Sequence, residues 1–329
     1  MPAPTVLIAP DSFKGTFPAA AVADALAGGV REAGGIAIVL PIADGGEGTL
    51  DALVTARRGS VVPQTVSGPL GDPVDACFAL LDPRTAVVEM AAASGLTLVP
   101  PERRDAYAAS TRGTGELIAA AVEAGAEHVI VGVGGSATTD GGLGAVEELD
   151  RRGVDVRLSV VCDVETPWED APRVFGPQKG ADPATVRRLE ARLDALADRA
   201  PRDPRGVPRT GAAGGLAGGL WAFREAELLP GAAYVLDAVG FDAPLAQATL
   251  VVTGEGGLDE QTFADKAVGE VARRAGRAGV PCVAVVGRTR LSAVRARELG
   301  LDRVIEAPTL GELRDAGREI AADLTADRR

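Results

Sequence analysis

Lysine is scarce in this chain, and its few lysines lie where contacts with anions would be useful. The 329-residue sequence has 34 lysines and arginines, and only Lys14, Lys179 and Lys266 are lysines. They lie in the segments DSFKG, GPQKG and DK, the last shortly after a TGEG motif. The guanidinium group of arginine is planar and holds its N–H donors in a fixed geometry, so it does not replace a compact ammonium that contacts a phosphate. We therefore predict that the three lysines bind anions; the alternative is that they are surface residues retained by chance.

Other side chains that commonly perform catalysis are few, which narrows the type of reaction. His128 is the only histidine, and its position before an apolar run indicates a structural role. Cys77, Cys162 and Cys282 lack Cys-x-x-Cys spacing, so we expect neither a zinc site nor a disulfide framework. The sequence has no Gly-x-Ser-x-Gly nucleophile elbow and no Walker A motif. The groups that remain available for catalysis are carboxylates, ammonium groups and backbone N–H groups. Enzymes that transfer phosphoryl groups with the help of a metal ion use this set.

Acidic, glycine-rich loops follow three predicted strands. The strands are Val6–Ala9, Ile36–Ile42 and Thr249–Val252. The site residues predicted in these loops are Asp11, Ser12, Asp44, Gly45, Gly46, Glu47, Gly254, Glu255 and Asp259. Because open α/β sheets bind ligands at the carboxyl ends of their strands, we expect these residues to share one edge of a sheet. For residues 44–49, an ordinary strand-to-helix turn with Glu47 in the first helical turn is the alternative.

A further glycine-rich loop, GVGGSATTDGG at residues 132–142, follows the predicted strand His128–Val133. Its first part matches the dinucleotide fingerprint Gly-x-Gly-x-x-Ala. In that fingerprint a helix starts at the second glycine, whereas here the last five residues prolong the loop. We favour an anion loop formed by Gly134, Gly135 and Ser136, with Asp140 as a metal ligand or a proton acceptor. A dinucleotide loop and a plain tight turn are the alternatives.

The segment TRGTGE, which contains Thr111 and Thr114, has two interpretations. It is either the start of a helix and nothing more, or the start of a helix whose N–H groups bind an anion. Both threonines are included among the predicted binding residues.

Composition limits the class of protein and its partners. Apolar residues make up 46% and aromatic residues 3%, which favours small aliphatic side chains that pack helices on parallel strands. The net charge of −12 argues against a nucleic-acid partner. No run approaches the roughly 20 apolar residues of a membrane span, and no targeting segment is evident. We expect a cytoplasmic protein with a small-molecule substrate and no membrane partner, and a homodimer stays open.

Strands and helices alternate at both ends of the sequence, which predicts an α/β fold of two domains. Residues 1–60 plus 240–329 are expected to form a doubly wound parallel-sheet (Rossmann-like) domain. In the middle, the strand-like runs Ser60–Val66 and Val74–Leu81 flank a turn-rich connection and indicate an antiparallel pair. We therefore predict that residues 61–239 form a second, mixed α/β domain inserted into the first, with the active site in the cleft between them.

Several motifs also resemble one known family. They are PDSFKG at 10–15, ADGGEGT at 43–49, EMAAASGL at 89–96, GGSAT at 134–138, FGPQKGA at 175–181, GAAGG at 211–215 and TGEG at 253–256. In this order they resemble the type I glycerate kinase family of bacteria. The resemblance implies ATP-dependent phosphorylation of D-glycerate to a phosphoglycerate, 2-phosphoglycerate in particular, with Mg²⁺ as cofactor.

This hypothesis gives roles to the predicted site residues. The catalytic residues would be Asp44, Asp140, Lys179 and Asp259, with Asp44 and Asp140 as metal ligands; which acid is the base stays open. Lys14, Lys179 and Lys266 would neutralise a phosphate or the glycerate carboxylate. Ser94, in the EMAAASGL motif, joins the loop residues named above as a binding residue.

Two other functions remain alternatives. The sequence departs from the usual family residues at Thr139, Gly257 and Asp265, and residues 144–161 form a shorter segment than usual. A family member that has lost catalysis and acts as a ligand-binding or regulatory protein would explain these departures. An NAD-dependent oxidoreductase is the second alternative, and it depends only on the dinucleotide-like fingerprint.

Overall fold

The computed structural model describes residues 3–260 and 266–326, and the chain divides into two compact units. Unit 1 comprises Met1–Asp44 and Ala232–Arg329, and unit 2 comprises Gly45–Gly231. Residues 45–60, predicted in the first domain, therefore group with unit 2, because helix Thr49–Arg57 packs on the strands of that unit. Residues 232–239, predicted in the inserted domain, group with unit 1.

The described residues form strands and helices in the following order. The strands are β1 (Thr5–Pro10), β2 (Ile36–Val39), β3 (Ser60–Ser67), β4 (Pro73–Asp82), β5 (Thr85–Glu89), β6 (His128–Gly132), β7 (Arg157–Cys162), β8 (Glu227–Pro230), β9 (Leu250–Gly254), β10 (Gly257–Leu258), β11 (Cys282–Val286), β12 (Arg288–Thr289) and β13 (Arg303–Glu306). The α-helices are Ala19–Glu32, Thr49–Arg57, Ala91–Ser94, Arg112–Glu123, Leu143–Arg152, Ala171–Phe175, Pro183–Ala197, Leu216–Arg224, Gly231–Ala238, Asp242–Leu245, Ala267–Ala278, Ala293–Glu298 and Leu310–Ala326.

Unit 1 has a five-stranded sheet in the order β13-β11-β9-β1-β2, and all of its neighbouring strands are parallel. When only the five strands of this sheet are numbered along the chain, their order is 2-1-3-4-5, which is that of flavodoxin-like doubly wound sheets. Alternate residues of β1 pack on opposite faces, Val6 and Ile8 on one and Leu7 and Ala9 on the other. Helices cover both faces, so these strands are continuous apolar runs. The predicted doubly wound parallel sheet is confirmed.

Unit 2 has a six-stranded mixed sheet in the order β3-β4-β5-β6-β7-β8. β4 is antiparallel to both of its neighbours, β3 and β5, and the strands from β5 to β8 are parallel. The predicted antiparallel pair and the mixed α/β character of this region are confirmed. Strand β8 was not predicted, because this edge strand has four residues and only Leu228 and Leu229 provide an apolar signal.

The cysteines and the histidine have the following environments. Cys77, Cys162 and Cys282 are unbridged thiols. His128 makes a 2.9 Å hydrogen bond to the Ser159 hydroxyl, which fits the expected structural role. Within residues 3–260 and 266–326, no helix has the length and apolar character needed to cross a membrane.

Candidate active site

The predicted acidic residues of unit 1 meet where the strand order reverses. β1 lies between β2 and β9, so the segments that follow these three strands lie side by side at the carboxyl edge. Asp11 follows β1, Asp44 lies beyond β2, and Glu255 follows β9. Open α/β sheets bind ligands at such a switch point. The structure therefore brings together three acids that the sequence spreads over more than 240 positions.

Lys14 lies among these acids. Its ammonium donates a hydrogen bond to Asp44 Oδ2 at 3.0 Å, and the Asp44 side chain is buried. Burial raises the pKa of Asp11 well above its usual range; the charges of Asp44 and Glu255 act in the same direction, while Lys14 and the Ser12 N–H oppose them. The Ser12 N–H donates to Asp11 Oδ1 at 2.6 Å. This edge thus holds carboxylates that repel one another and attract cations.

A pocket of about 420 Å³, here called the unit 1 pocket, opens beside this edge. It is lined by Ser12, Phe13, Lys14, Thr16, Glu255, Gly256, Gly257, Lys266, Gly287, Arg288 and Pro308. It brings together four of the predicted binding residues: Ser12, Lys14, Glu255 and Lys266. The lining segments follow β1, β9, β11 and β13, which places the pocket at the carboxyl ends of four strands.

Lys266 is the N-cap of helix Ala267–Ala278, and its side chain makes no capping hydrogen bond to the start of this helix. The first N–H groups of a helix attract anions, so the helix and the Lys266 ammonium favour the same kind of ligand. Asp265, where the sequence departs from the family pattern, lies outside the described residues.

Lys179 lies in unit 2 and is one of its most deeply buried side chains. Its ammonium donates to Ser136 Oγ at 2.8 Å and to the Thr138 carbonyl oxygen at 2.5 Å. Burial lowers the pKa of Lys179 to about 7, and the charge of Asp140 acts in the opposite direction. Among the residues that the structure describes, no carboxylate forms an ion pair with this ammonium. A buried ammonium with two neutral acceptors is costly unless an anion completes the site.

Local structure explains how Lys179 reaches this position. The 3₁₀-helix Pro177–Lys179 ends at Gly180, which adopts a left-handed conformation with φ of 90°. The glycine-rich segment 211–215 packs directly against the loop 133–142, whose Thr138 carbonyl group contacts Lys179. A side chain at Gly214 would lie 2.0 Å from the Thr138 carbonyl oxygen. The glycines therefore permit the close approach that holds the carbonyl group for Lys179.

Hydroxyl groups cluster around the same loop. Ser94 Oγ and Thr114 Oγ1 share a 2.8 Å hydrogen bond, and both side chains are buried. The Ser94 carbonyl oxygen accepts a hydrogen bond from the Ala137 N–H, and Gly95 pairs with Ser136. Four predicted residues, Ser94, Thr114, Ser136 and Lys179, thus lie on connected backbone segments of unit 2.

The two predicted glycine loops of unit 2 also meet. A Cβ atom on Gly134 would lie 2.5 Å from Gly46 Cα, so the loops touch through their backbones. Gly45 has a φ of 93° and packs against the Val161 carbonyl group, while Glu47 is exposed. Glu89, which the sequence analysis did not select, accepts a 2.8 Å hydrogen bond from the Leu50 N–H behind these loops. Burial raises the pKa of Glu89 to about 7.

Asp140, predicted as a metal ligand or a proton acceptor, is buried and accepts hydrogen bonds at both of its carboxylate oxygens. Its Oδ2 atom accepts hydrogen bonds from the Thr111 N–H, the Thr111 hydroxyl and the Gly144 N–H, at 2.8, 2.8 and 3.3 Å. Its Oδ1 atom accepts one from the Gly142 N–H at 3.1 Å. Asp140 thus ties the start of helix Leu143–Arg152 to Thr111, before helix Arg112–Glu123. This geometry favours a positioning role.

The remaining predicted residues are placed as follows. Gly254 ends β9, and its carbonyl oxygen accepts a hydrogen bond from the Asp11 N–H. Asp259 follows β10, is partly buried and is not among the residues that line the unit 1 pocket. Gly135 is exposed and has a φ of 72°, and its carbonyl oxygen accepts a bond from the Leu96 N–H.

The chain is thus an α/β protein in which Lys14 and Lys266 line a pocket at the carboxyl ends of parallel strands and Lys179 is buried beside a glycine-rich loop. A sequence model of the glycerate kinase family matches residues 6–155 and 145–327. The chain is 40% identical over 355 residues to a glycerate kinase of Bacillus subtilis (strain 168), covering 94% of this chain and 92% of the relative. It is 38% identical over 354 residues to a glycerate 2-kinase of Escherichia coli (strain K12), with coverages of 95% and 93%.

A solved structure agrees with these relatives. A crystal structure from Salmonella typhimurium LT2, provisionally identified as glycerate kinase 2, has 37% sequence identity and a TM-score of 0.84, and the match covers 99% of this chain and 100% of that chain. The chain belongs to the glycerate kinase family, and the resemblance seen in the motifs is confirmed. The loop 133–142 also runs to Leu143 before a helix begins, unlike a dinucleotide fingerprint.

Proposed function

We propose that this protein transfers the γ-phosphoryl group of ATP to the 2-hydroxyl group of D-glycerate, giving 2-phosphoglycerate and ADP. In this reaction a bond forms between the glycerate oxygen and the γ-phosphorus, the bond to the β–γ bridging oxygen breaks, and the hydroxyl proton passes to a base. Support comes from family membership over nearly the whole chain and from relatives named glycerate kinase and glycerate 2-kinase.

The observation that carries the proposal is the buried ammonium of Lys179. Its partners are a hydroxyl and a carbonyl oxygen, and burial lowers its pKa to about 7. An anionic oxygen brought next to this group restores the charged ammonium and is strongly attracted in a region of low dielectric constant. Lys179 is thus suited to neutralise the glycerate carboxylate or the transferred phosphoryl group.

Mg²⁺ is the metal that the family implies, and the acids of unit 1 fit it. Mg²⁺ usually binds one or two carboxylates together with phosphate oxygens. Asp11 and Asp44 are buried carboxylates that repel each other, and a cation relieves that repulsion. In the described part of the chain, no group of three or more His, Cys, Asp or Glu residues is arranged around a metal position, so phosphate oxygens would complete the shell. When bound, Mg²⁺ neutralises negative charge on the phosphates.

The acids divide into candidate roles on geometric grounds. Asp11 and Asp44 would hold the metal, with Asp44 also a candidate for the proton acceptor. For Asp140 we propose positioning of the loop 133–142, because both of its oxygens already accept N–H or O–H donors. Asp259 stays a candidate for the proton acceptor.

The test is an ADP-release assay on the purified full chain with ATP and Mg²⁺. The acceptors are D-glycerate, L-glycerate, glycolate and D-lactate, and a Lys179→Ala preparation controls for contaminating kinases. We expect the highest kcat/KM with D-glycerate and background rates for the control. Turnover with none of the acceptors would remove the kinase proposal. Nucleotide or glycerate binding by calorimetry without turnover would then favour the alternative of a ligand-binding family member.

Other properties stay predictions. They are a cytoplasmic location, the absence of nucleic-acid partners, assembly as a homodimer, and an active site that uses both units.

A further inference from the structure

Arg288 is a candidate binding residue that the motif analysis did not select. It begins β12, two residues after β11 ends, and β12 pairs with β10. The Arg288 N–H donates to the Gly256 carbonyl oxygen at 3.2 Å, which fixes the backbone beside the loop after β9. The side chain is exposed and lines the unit 1 pocket together with Lys14 and Lys266.

The charges of this pocket are unbalanced in favour of cations. Three cationic side chains line it, and Glu255 is the only acid among the described lining residues. Lys14 is bonded to Asp44, but neither Lys266 nor Arg288 forms an ion pair with any residue that the structure describes. Other arginines of this acidic chain, such as Arg274 and Arg303, each bond more than one acid. Two cations without acidic partners beside one pocket favour an anionic ligand.

Small residues leave room for that ligand. A Cβ atom on Gly257 would lie 3.6 Å from Arg288 Nε, so the guanidinium extends past a position that carries no side chain. A Cβ atom on Gly287 would lie 2.5 Å from the Gly256 carbonyl oxygen, which explains why the turn after β11 needs glycine. The loops after β9 and β11 are therefore held close together, and Arg288 is directed along them.

A second, independent feature indicates a ligand in the same pocket. The Ser12 side chain is about nineteen-twentieths buried, and its Oγ atom has no hydrogen-bond partner among the described residues. A buried hydroxyl without a partner costs free energy unless a ligand completes its bonding. The start of helix Ala267–Ala278, which the Lys266 side chain does not cap, adds N–H groups that also suit an anion.

We propose that the unit 1 pocket binds the polyphosphate of the nucleoside triphosphate donor and that Arg288 contacts its phosphate oxygens. The identity of the donor rests on the proposed function. Glycerate presents a single carboxylate, whereas a polyphosphate presents several anionic oxygens to several donors at once. A pocket of about 420 Å³ with Lys14, Lys266 and Arg288 matches the larger anion.

The experiment compares Arg288→Gln and Arg288→Lys with Arg290→Gln, a matched control. Arg290 is also exposed and lies two positions further along the chain, but it does not line the pocket. Arg290→Gln therefore makes the same change in net charge outside the pocket. Calorimetry with ADP and with inorganic tripolyphosphate, both with Mg²⁺, measures binding. Steady-state kinetics gives the KM values for ATP and for D-glycerate. Thermal melting checks that each variant is folded.

We expect Arg288→Gln to weaken ADP and tripolyphosphate binding and to raise the KM for ATP by roughly 10- to 100-fold. Arg288→Lys should recover part of the lost affinity, because lysine keeps the positive charge but lacks the planar pair of N–H donors of the guanidinium. Arg290→Gln should resemble the parent protein, and the KM for glycerate should change little in every variant. Unchanged affinities in Arg288→Gln, or a rise confined to the KM for glycerate, would overturn the proposal.

The two proposals fail in different ways. If the parent protein binds ADP through Arg288 but never phosphorylates glycerate, the proposed function fails and the polyphosphate pocket stands. If the parent protein phosphorylates glycerate and Arg288→Gln binds ADP with the parent affinity, the proposed function stands and the pocket assignment fails. Absence of any ADP or tripolyphosphate binding also overturns the pocket assignment.

Discussion

The Lys179 ammonium lies 2.8 Å from the Ser136 hydroxyl oxygen in the interior of unit 2, although the two residues are 43 positions apart in the chain. The contact joins the FGPQKGA motif to the GGSAT motif. It also places the ammonium next to the Thr138 carbonyl group, which the glycine-rich segment 211–215 holds in place. Three of the motifs that resemble the family thus serve one buried cation.

Replacing Lys179 should separate catalysis from folding. Lys179→Met keeps much of the side-chain volume and removes the charge, so kcat should fall on the order of 10²-fold or more while the fold remains. Lys179→Arg should lose activity to a similar degree, because a guanidinium is larger and directs its donors differently. Steady-state kinetics and thermal melting measure both effects. Near-normal kcat/KM in Lys179→Arg would contradict a specific role for the ammonium.

Stability should depend on pH through the same residue. Burial lowers the pKa of Lys179 to about 7 in the folded chain, compared with 10.5 for an unperturbed lysine. Between these values the unfolded chain binds a proton that the folded chain lacks, so stability rises with pH across this window. Lys179→Met should therefore be more stable than the parent protein at pH 6, and the difference should shrink towards pH 9.5. Urea denaturation at both values measures it, and a constant difference would refute the assignment.

Asp11→Asn should stabilise the protein and reduce its activity. Burial and the Asp44 charge raise the pKa of Asp11, so between its unfolded pKa and this raised value the folded chain binds more protons and stability falls as pH rises. The variant should gain on the order of 1–3 kcal/mol at pH 8, with a smaller gain at pH 5. Urea denaturation at both pH values tests this. A loss of stability at pH 8 would mean that the carboxylate is compensated in the folded chain.

Asp140→Asn should lower the free energy of unfolding by about 1.5–3 kcal/mol, because an amide nitrogen faces N–H donors in either orientation. Thr111→Val removes only one of the bonds to Asp140 and should cost less, whereas Thr111→Ser should be close to the parent protein. Denaturation curves for the three variants test the positioning role. Unchanged stability of Asp140→Asn with a higher requirement for Mg²⁺ would instead identify Asp140 as a metal ligand.

Local sequence patterns predicted much of the fold. The strands Val6–Ala9 and His128–Val133 were predicted to within one residue of their observed ends, because buried parallel strands are short apolar runs between helices. β8 was missed because an edge strand buries little and leaves a weak pattern. The first boundary between the two units also differs from the predicted one. Helix Thr49–Arg57 packs on β4 and β5 and therefore belongs to unit 2, although the residues before it in the chain belong to unit 1.

The sequence could predict candidate site residues only where the residues concerned are close together in the chain. Ser12 and Lys14, which line the unit 1 pocket, could be predicted because their chemistry lies in one short motif. Arg288, the residue that we propose for the same pocket, was not predicted, since its place beside the loop after β9 results from the pairing of β10 with β12, which no local pattern reveals. The role of Asp140 depended on Thr111, 29 positions away, so the sequence alone presented only an acid in a glycine-rich loop.

The most direct test of the central claim is ³¹P NMR of the products formed by the purified protein from D-glycerate, ATP and Mg²⁺. The proposed function predicts a new phosphomonoester signal that co-resonates with added 2-phosphoglycerate and grows in step with ADP. Formation of 3-phosphoglycerate would contradict the assigned hydroxyl group. Release of inorganic phosphate alone, or no change in ATP, would contradict the proposed phosphoryl transfer to glycerate.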